Sequence, residues 1–195
     1  MAARSQETIG QYRQHMVEGL FTLDKSFGVI PMLAEGYQVA PDRLTYTIRL
    51  RKGVPFHNGQ EMTADDVVAS LQRWGRLAAV GKALFANVDS ISARDRHTVE
   101  LRTKEISGVV LSSLANPNQM AAIYPKAVID AHGDKPIRDV VGTGPFVLKE
   151  WMPDLHILVV RFDRYAALPG EPSGYGGRKV AYLDEVVFVP SSEPA

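Results

Sequence analysis

The sequence contains no cysteine among its 195 residues. A chain without thiols has no disulfide framework, no thiolate metal site and no cysteine nucleophile. The absence fits any compartment and slightly favours an exported protein, in which a stray thiol is a liability.

An excess of charge of one sign is also lacking. Lys and Arg together number 22, as do Asp and Glu, so the formal net charge is zero. Without a basic excess to drive binding to nucleic acid or anionic lipid, we expect no nucleic-acid partner. No apolar run approaches the roughly 18 residues of a membrane-spanning helix. The polar start at Met1 lacks the charged-then-apolar layout of a signal peptide.

Motifs for catalysis and phosphate binding are scarce. Residues 142–145 read Gly-Thr-Gly-Pro, lack the third glycine of a dinucleotide fingerprint and precede a strand pattern. Residues 174–179 lack the closing Gly-Lys-Ser/Thr of a phosphate-binding loop. There is no Gly-x-Ser-x-Gly elbow, and the histidines lack zinc-site spacing. We therefore expect no cofactor, no metal and no catalytic residue.

One group of residues leaves an enzymatic alternative open. His57, with Asp65 and Asp66, would serve a small hydrolase or metalloenzyme as a metal or acid–base cluster. Both aspartates fall in the first turn of a predicted helix, where the helix dipole favours negative charge, so the structural interpretation is preferred. A stand-alone interaction module is a further alternative.

The elements that are present predict a globular α+β protein. Hydrophobic residues make up 45% of the chain and charged residues 23%, as is ordinary for a soluble domain. Alternating residues predict a hairpin between Tyr37 and Leu50 with a turn at Pro41-Asp42-Arg43, and a second between Val88–Ala93 and Thr98–Arg102. Further strands are predicted at these segments: Ala121–Tyr124, Phe146–Trp151, Ile157–Phe162 and Ala181–Val189.

Helical spacing predicts four helices. The best-defined runs from Ala64 to Leu77, with a capping box between Thr63 and Asp66 and an apolar stripe of Val67, Leu71, Trp74 and Ala78. The other three are predicted over Glu7–Leu20, Gly108–Leu114 and Pro125–His132. Arg164–Gly177 is predicted as a long surface loop, and Trp74 and Trp151 as core or hinge packing. Asn116, Asn118 and Gln119 suit either a loop or a polar ligand wall.

Several stretches together resemble one family. They are Glu18-Gly19-Leu20-Phe21, Pro31 to Tyr37, Tyr46 to Gly59 with Phe56-His57-Asn58-Gly59, Thr63 to Arg73 with Thr63-Ala64-Asp65-Asp66, Val141 to Phe146, and Val159 to Tyr165. In this order they resemble the extracytoplasmic solute-binding proteins of peptide and nickel type ABC importers (family 5). The resemblance runs from about Glu7 to Pro190.

The resemblance implies a partial type II periplasmic-binding-protein fold. Residues 18–139 would form the small subdomain of the first lobe, an antiparallel or mixed sheet with packed helices. Residues 1–17 and 140–195 would form part of the first lobe itself. By resemblance the chain is an N-terminal portion, a fragment without the second lobe, the leader peptide or the first strand.

The resemblance also implies a function. The chain would belong to a periplasmic binder of a small solute, such as an oligopeptide, that works with the membrane permease of an ABC importer. Ligand contacts carried over by resemblance are Ser5, Gln6, Glu7, Phe85, Asn118, Thr143 and Gly144. The solute itself stays open, because one scaffold serves many ligands. Apolar strands after Gly144 predict self-association through residues 144–190.

Overall fold

The computed structural model describes residues 12–189, which form eleven strands and four helices within that range. The strands are β1 (Phe21–Leu23), β2 (Val29–Pro31), β3 (Ala34–Val39), β4 (Thr45–Leu50), β5 (Val88–Asp95), β6 (Thr98–Thr103), β7 (Phe146–Met152), β8 (His156–Arg161), β9 (Pro172–Ser173), β10 (Gly176–Gly177) and β11 (Glu185–Phe188). The helices are α1 (Ala64–Leu77), α2 (Ala79–Asn87), α3 (Val110–Leu114) and α4 (Lys126–His132). None of the helices in this range is long and apolar enough to cross a bilayer.

Both predicted hairpins are confirmed, and they join into one antiparallel sheet in the order β3-β4-β6-β5. Strand β6 pairs with β4, so that Leu101 lies beside Tyr46 and Val99 beside Ile48. All four side chains are buried. Alternate residues therefore line one face, as the period of two predicted. In the first turn, Asp42 accepts backbone hydrogen bonds from Leu44 and Thr45.

Helix α1 has the predicted bounds and the predicted cap. The Asp66 carboxylate accepts hydrogen bonds from the backbone N–H of Thr63 at 2.8 Å and from its hydroxyl at 2.7 Å. The stripe of Val67, Leu71 and Trp74 is buried in the core that the helix shares with the four-stranded sheet. Burying such a stripe is the main source of stability for an amphipathic helix.

No residue pattern predicted α2, which follows α1 after a break at Ala78. Ala78 has extended backbone angles, so the chain turns and a second helix begins at once. The new helix fits closely because Gly81 faces the Trp74 carbonyl, which a Cβ atom would approach to 2.3 Å. A glycine lowers intrinsic helix propensity, which hid this helix from the residue pattern.

Two predicted elements are wrong in the described region. Residues 121–124, all buried except the half-buried Ala122, form no strand, because the backbone N–H of Tyr124 donates to the Ser70 hydroxyl instead of a sheet partner. The first helix does not reach Leu20. Only residues 12 and 13 of its described part are helical, and the Leu20 carbonyl accepts hydrogen bonds from Met32 and Ala34.

The later strands form a second antiparallel sheet in the order β11-β8-β7. Two of its predicted strands are confirmed, and the third, β11, is shorter than predicted. The predicted surface loop at 164–177 contains the small hairpin β9–β10, whose Gly174 lies against the backbone of Asp24 and Lys25.

The buried apolar residues form two clusters. The larger draws on residues between Leu20 and Ile123 and includes α1 and the four-stranded sheet. The smaller joins the start of the described chain to α4 and the second sheet, through Met16, Val17, Tyr124, Ile129, Ile137, Val140, Phe146 and Val159. The surface where the two clusters meet holds the cavities described next.

Candidate functional site

A cavity of about 740 Å³ lies between α1, the loop after α3, the segment after α4 and strand β7. We call it the arginine cavity, after three of its wall residues. Its main lining residues are Arg13, Ser70, Arg73, Trp74, Pro117, Asn118, Gln119, Met120, Tyr124, Asp134, Ile137, Arg138 and Trp151. They come from five separate parts of the chain, so only the folded protein brings them together.

Polar contacts of α1 fix the wall of the arginine cavity. The Ser70 hydroxyl donates to the carbonyl of Tyr124 at 3.1 Å and accepts from its N–H at 3.0 Å. One turn along, the Trp74 indole N–H donates to the carbonyl of Gln119 at 2.8 Å. Because successive turns of one helix make these bonds, the loop and the helix form a single rigid wall.

The side chain of Asn116 fixes the conformation of the loop that also contains Asn118 and Gln119. Asn116 Oδ1 accepts hydrogen bonds from the backbone N–H of Asn118 at 3.0 Å and of Gln119 at 2.9 Å. Gln119 Oε1 accepts from the backbone N–H of Val80. Asn116 and Gln119 therefore shape the loop, whereas Asn118 is exposed on the cavity wall.

The charges around the arginine cavity are mainly positive. In the part of the wall formed by residues 12–189 there are three guanidinium groups and one carboxylate, that of Asp134, which already pairs with Arg76 at 3.1 Å. Burial lowers the pKa of Arg73, and the nearby Arg13 lowers it further, while Tyr124 and Asp134 act in the opposite direction. The cavity thus crowds like charges together in partly desolvated surroundings.

Thr143 and Gly144 lie outside the arginine cavity, in a buried polar cluster around Glu18. The Thr143 hydroxyl donates to Glu18 Oε2 at 3.0 Å, and the Tyr165 hydroxyl donates to Oε1 at 2.7 Å. Lys179 Nζ lies 3.3 Å from the same oxygen. Burial raises the pKa of Tyr165, and the Glu18 charge raises it further, so Tyr165 remains a donor. The cluster holds three distant segments together.

His57 binds residues 142–144, called here the glycine segment, which lies next to this cluster. Its Nε2 donates to the carbonyl of Gly144 at 3.0 Å, and its Nδ1 accepts from the N–H of Gly142 at 3.2 Å. Burial lowers the pKa of the imidazole, which keeps it neutral. Gly142 has to be glycine, because a Cβ atom would lie 2.1 Å from the Met16 carbonyl.

These contacts bear on the enzymatic alternative. Both ring nitrogens of His57 are engaged by the backbone, and Asp66 caps α1 and accepts from the N–H of Lys126. Across residues 12–189, no three His, Asp or Glu side chains cluster in a way that could hold a metal ion. No acid–base pair forms from the residues that the alternative named.

The remaining residues of the expected ligand set are dispersed. Phe85 packs over Gly75 and meets the Trp74 ring edge-on, at 6.4 Å between centroids, so it supports the cavity wall from behind. Ser5, Gln6 and Glu7 lie outside the described residues. Of the four members of the set that the structure describes, Asn118 alone lines the arginine cavity.

The sequence interpretation missed Arg13, Arg73, Arg138 and Glu18 as site residues. The three arginines are far apart in the chain and follow no motif. Glu18 did carry a signal, because it is the one charged residue in the run from Met16 to Phe21. A second cavity of about 410 Å³ lies on the other side of Val17, Pro117 and Met120, and Lys179 lines it.

Comparison with known proteins gives a consistent result. The family model for "Bacterial extracellular solute-binding proteins, family 5 Middle" matches residues 28–195. The "Probable peptide ABC transporter periplasmic-binding protein y4tO" of Sinorhizobium fredii is 30% identical over 177 residues, covering 87% of this chain and 32% of that protein. "Glutathione-binding protein GsiB" of Salmonella choleraesuis is 33% identical over 178 residues, covering 90% and 32%.

Solved structures give the same fold. The binding protein AgaA of A. tumefaciens, in complex with agropinic acid, superposes with a TM-score of 0.73 at 31% identity, covering 92% of this chain and 34% of that one. DppA of Helicobacter pylori, in complex with a peptide, gives 0.71 at 26% identity, covering 89% and 36%. These likenesses confirm the predicted α+β, type II periplasmic-binding-protein fold. The chain spans about a third of the length of the curated relatives it matches.

Proposed function

Because the chain belongs to the bacterial extracellular solute-binding proteins of family 5, we propose that it contributes to binding a peptide-like solute for an ABC importer. The observation that carries this proposal is the arginine cavity, which Asn118 and two tryptophans line. Its 740 Å³ falls within the roughly 300–1,000 Å³ of small-molecule sites, and it combines aromatic walls with a few polar groups.

The partner and the compartment follow from the same premise. The relative y4tO is named as a probable peptide ABC transporter periplasmic-binding protein, and DppA as an ABC transporter-associated periplasmic binding protein. We propose that this chain acts in the periplasm and delivers its solute to a membrane permease. We propose that the solute contacts these residues besides Asn118: Ser5, Gln6, Glu7, Phe85, Thr143 and Gly144.

Binding rather than catalysis is the proposed activity. The relatives are transport binding proteins, and the engaged nitrogens of His57 support the same conclusion for this chain. Turnover of any peptide that is lost when His57, Asp65 or Asp66 is substituted would contradict this proposal.

The proposed affinity is weak for the chain alone. Asn118, Arg138 and Leu77 are exposed at the cavity, so its mouth is open to water. Tight sites bury about 70–90% of a ligand's surface. We expect a dissociation constant above the micromolar range for di- and tripeptides, including glutathione.

Backbone amide NMR shifts provide the test. With a peptide mixture added to the full chain, the amides of Asn118, Gln119 and Met120 should shift and saturate. Asn118→Ala should reduce the shifts, and Asn58→Ala, an exposed amide in a turn elsewhere, should not. Absence of any peptide-dependent shift, or shifts confined to the second sheet, would refute the proposal.

Two further proposals concern the whole chain. We propose that residues 18–139 form the small subdomain and that residues 1–17 and 140–195 belong to the first lobe, which limited proteolysis would test. We also propose self-association of the chain through residues 144–190, because Val187 and Val189 in this range leave 55% and 68% of their surface exposed.

A further inference from the structure

We propose that the arginine cavity recognises a carboxylate group, which Arg13 and Arg73 hold between them. The inference rests on the proposed function only in assigning that carboxylate to the transported solute. It narrows the ligand class from peptide-like solutes in general to those that present a free acid to this wall.

The first support is the charge balance of the wall. Three guanidinium groups, those of Arg13, Arg73 and Arg138, face one cavity. Among the lining residues within 12–189, Asp134 is the only carboxylate, and Arg76 already pairs with it. Within residues 12–189, none of the three arginines forms an ion pair of its own. Such a wall creates a positive potential that attracts anions.

The second support is an unsatisfied donor. Arg13 Nε is buried and has no hydrogen-bond partner among residues 12–189. Buried polar groups nearly always have partners, so an orphaned donor that borders a cavity needs an explanation. A guanidinium offers Nε and one Nη side by side, and a carboxylate accepts both bonds at once. A bound carboxylate would therefore satisfy Arg13.

The third support is the fixed position of Arg73. Its Nε and Nη2 donate to the carbonyls of Gly133 and Lys135, each at 2.7 Å. These neutral acceptors hold the side chain in place without cancelling its charge, and Nη1 is left for a ligand. Arg73 thus supplies a preorganised cation in the lining of the same cavity as Arg13. The two like charges repel each other until an anion lies between them.

Aromatic side chains complete the wall. Trp74 and Trp151 line the same cavity, and the buried Tyr124 lies beside both arginines. Apolar and aromatic surface excludes water from the ion pair and strengthens it. Flat aromatic faces beside a carboxylate site suit an organic acid better than a small inorganic anion.

A matched pair of small probes tests the inference on the full chain. N-acetylglycine carries a carboxylate, and N-acetylglycinamide has the same shape without the charge. Titrations at constant ionic strength would follow the Arg13 and Arg73 Nε–H signals in ¹⁵N NMR spectra. We expect saturable shifts of both signals with the acid and none with the amide.

Variants sharpen the same experiment. Arg13→Gln should weaken binding of N-acetylglycine by about tenfold or more, the usual size of a charge-assisted hydrogen bond. Arg94→Gln is the matched control, because Arg94 is an exposed arginine on β5 that pairs with Glu100 at 3.9 Å. Equal shifts with acid and amide, equal shifts with chloride, or the same affinity in both variants would overturn the inference. The shifts in the unmodified chain decide the question even where a variant folds poorly.

The inference and the proposed function fail in different ways. If a tripeptide and its form with every carboxyl amidated bind equally well, solute binding stands and the carboxylate inference is overturned. If no peptide binds while N-acetylglycine still shifts Arg13, the carboxylate site stands and the peptide proposal falls. If neither binds, both are refuted.

Discussion

Glu18 is the residue on which separate segments of the chain converge. Its carboxylate is buried and accepts hydrogen bonds from Thr143, Tyr165 and Lys179, which lie 125, 147 and 161 residues away in sequence. A buried charge is tolerated only when it is paired and hydrogen-bonded, and here three donors meet that need. The start of the described chain is thereby tied to the glycine segment and to the loop that follows β8.

Glu18→Gln is expected to destabilise the fold. The amide keeps the volume but loses the charge, and Lys179, whose side chain is 25% exposed, is left without its counter-ion. We expect a loss of about 2–3 kcal/mol in the free energy of unfolding, the usual size for a hydrogen-bonded charge. Urea denaturation measures it. Glu35→Gln, at an exposed position on β3, is the control, and equal midpoints for both variants would contradict the role of Glu18.

His57 predicts how stability depends on pH. Burial lowers its pKa in the folded state below the ordinary value of 6.5, so the unfolded chain binds protons more readily. Its contribution to stability is therefore complete above about pH 6.5 and is lost as the pH falls through the folded pKa. We expect the free energy of unfolding to decline between pH 7 and pH 5.

The variant His57→Asn separates this effect from general acid sensitivity. Asn offers an oxygen to the N–H of Gly142 but carries no titrating ring, so the variant should be less stable at pH 7.5 and decline less steeply. Asn58→Ala removes a neighbouring polar side chain and keeps the imidazole. It should retain the steeper decline, and parallel pH profiles for all three proteins would disprove the assignment.

Regular elements are the part of the fold that the sequence predicts well. Helix α1 has a cap and an apolar stripe within one continuous segment, so Thr63 to Leu77 contains all the necessary information. Residues 121–124 show the limit of such patterns. They are apolar enough for a strand, but the neighbouring Ser70 hydroxyl takes the hydrogen bond that a sheet would have used. Only the tertiary structure therefore decides whether residues 121–124 form a strand or the observed irregular segment.

Leu71→Ala tests α1 as a core element. The side chain is fully buried between the helix and the four-stranded sheet, so its truncation leaves a cavity. We expect a loss of about 2–5 kcal/mol in the free energy of unfolding. Gln72→Ala, at the next and exposed position, should change stability little. A loss below about half a kilocalorie per mole for Leu71→Ala would show that the helix is not part of the core.

At the junction of α1 and α2, helix propensity and close packing have opposite effects at Gly81. Alanine is the better helix former, yet its Cβ would lie 2.3 Å from the Trp74 carbonyl. We expect Gly81→Ala to destabilise by about 1–3 kcal/mol, because overpacking outweighs helix propensity. Gly108→Ala is the control, since nothing lies within 4 Å of its added methyl group. A rise in melting temperature for Gly81→Ala would refute the close packing.

At the scale of the whole molecule, the candidate site escapes the sequence patterns because it belongs to no single element. Arg13, Arg73 and Arg138 become neighbours only when the two hydrophobic clusters pack together. The family resemblance predicts Asn118 as a ligand contact; the residue lines the cavity, and its contact with a solute stays a prediction. No local sequence pattern predicts the positive wall beside Asn118, because the zero net charge of the whole chain does not reveal a local excess of arginine.

The second sheet carries the last prediction. Strand β11 pairs with β8 on one side only within the described chain, and Val187, on its outward face, is 55% exposed. An open edge with apolar residues is a template for pairing with another copy. We expect concentration-dependent dimers in light scattering, and Val187→Lys should suppress them because a charge on an edge strand blocks such pairing. Val39→Lys is the matched control, since Val39 is an exposed valine on β3, an edge of the other sheet. A monomer at every concentration, or equal suppression by both lysines, would show that the second sheet is not the contact surface.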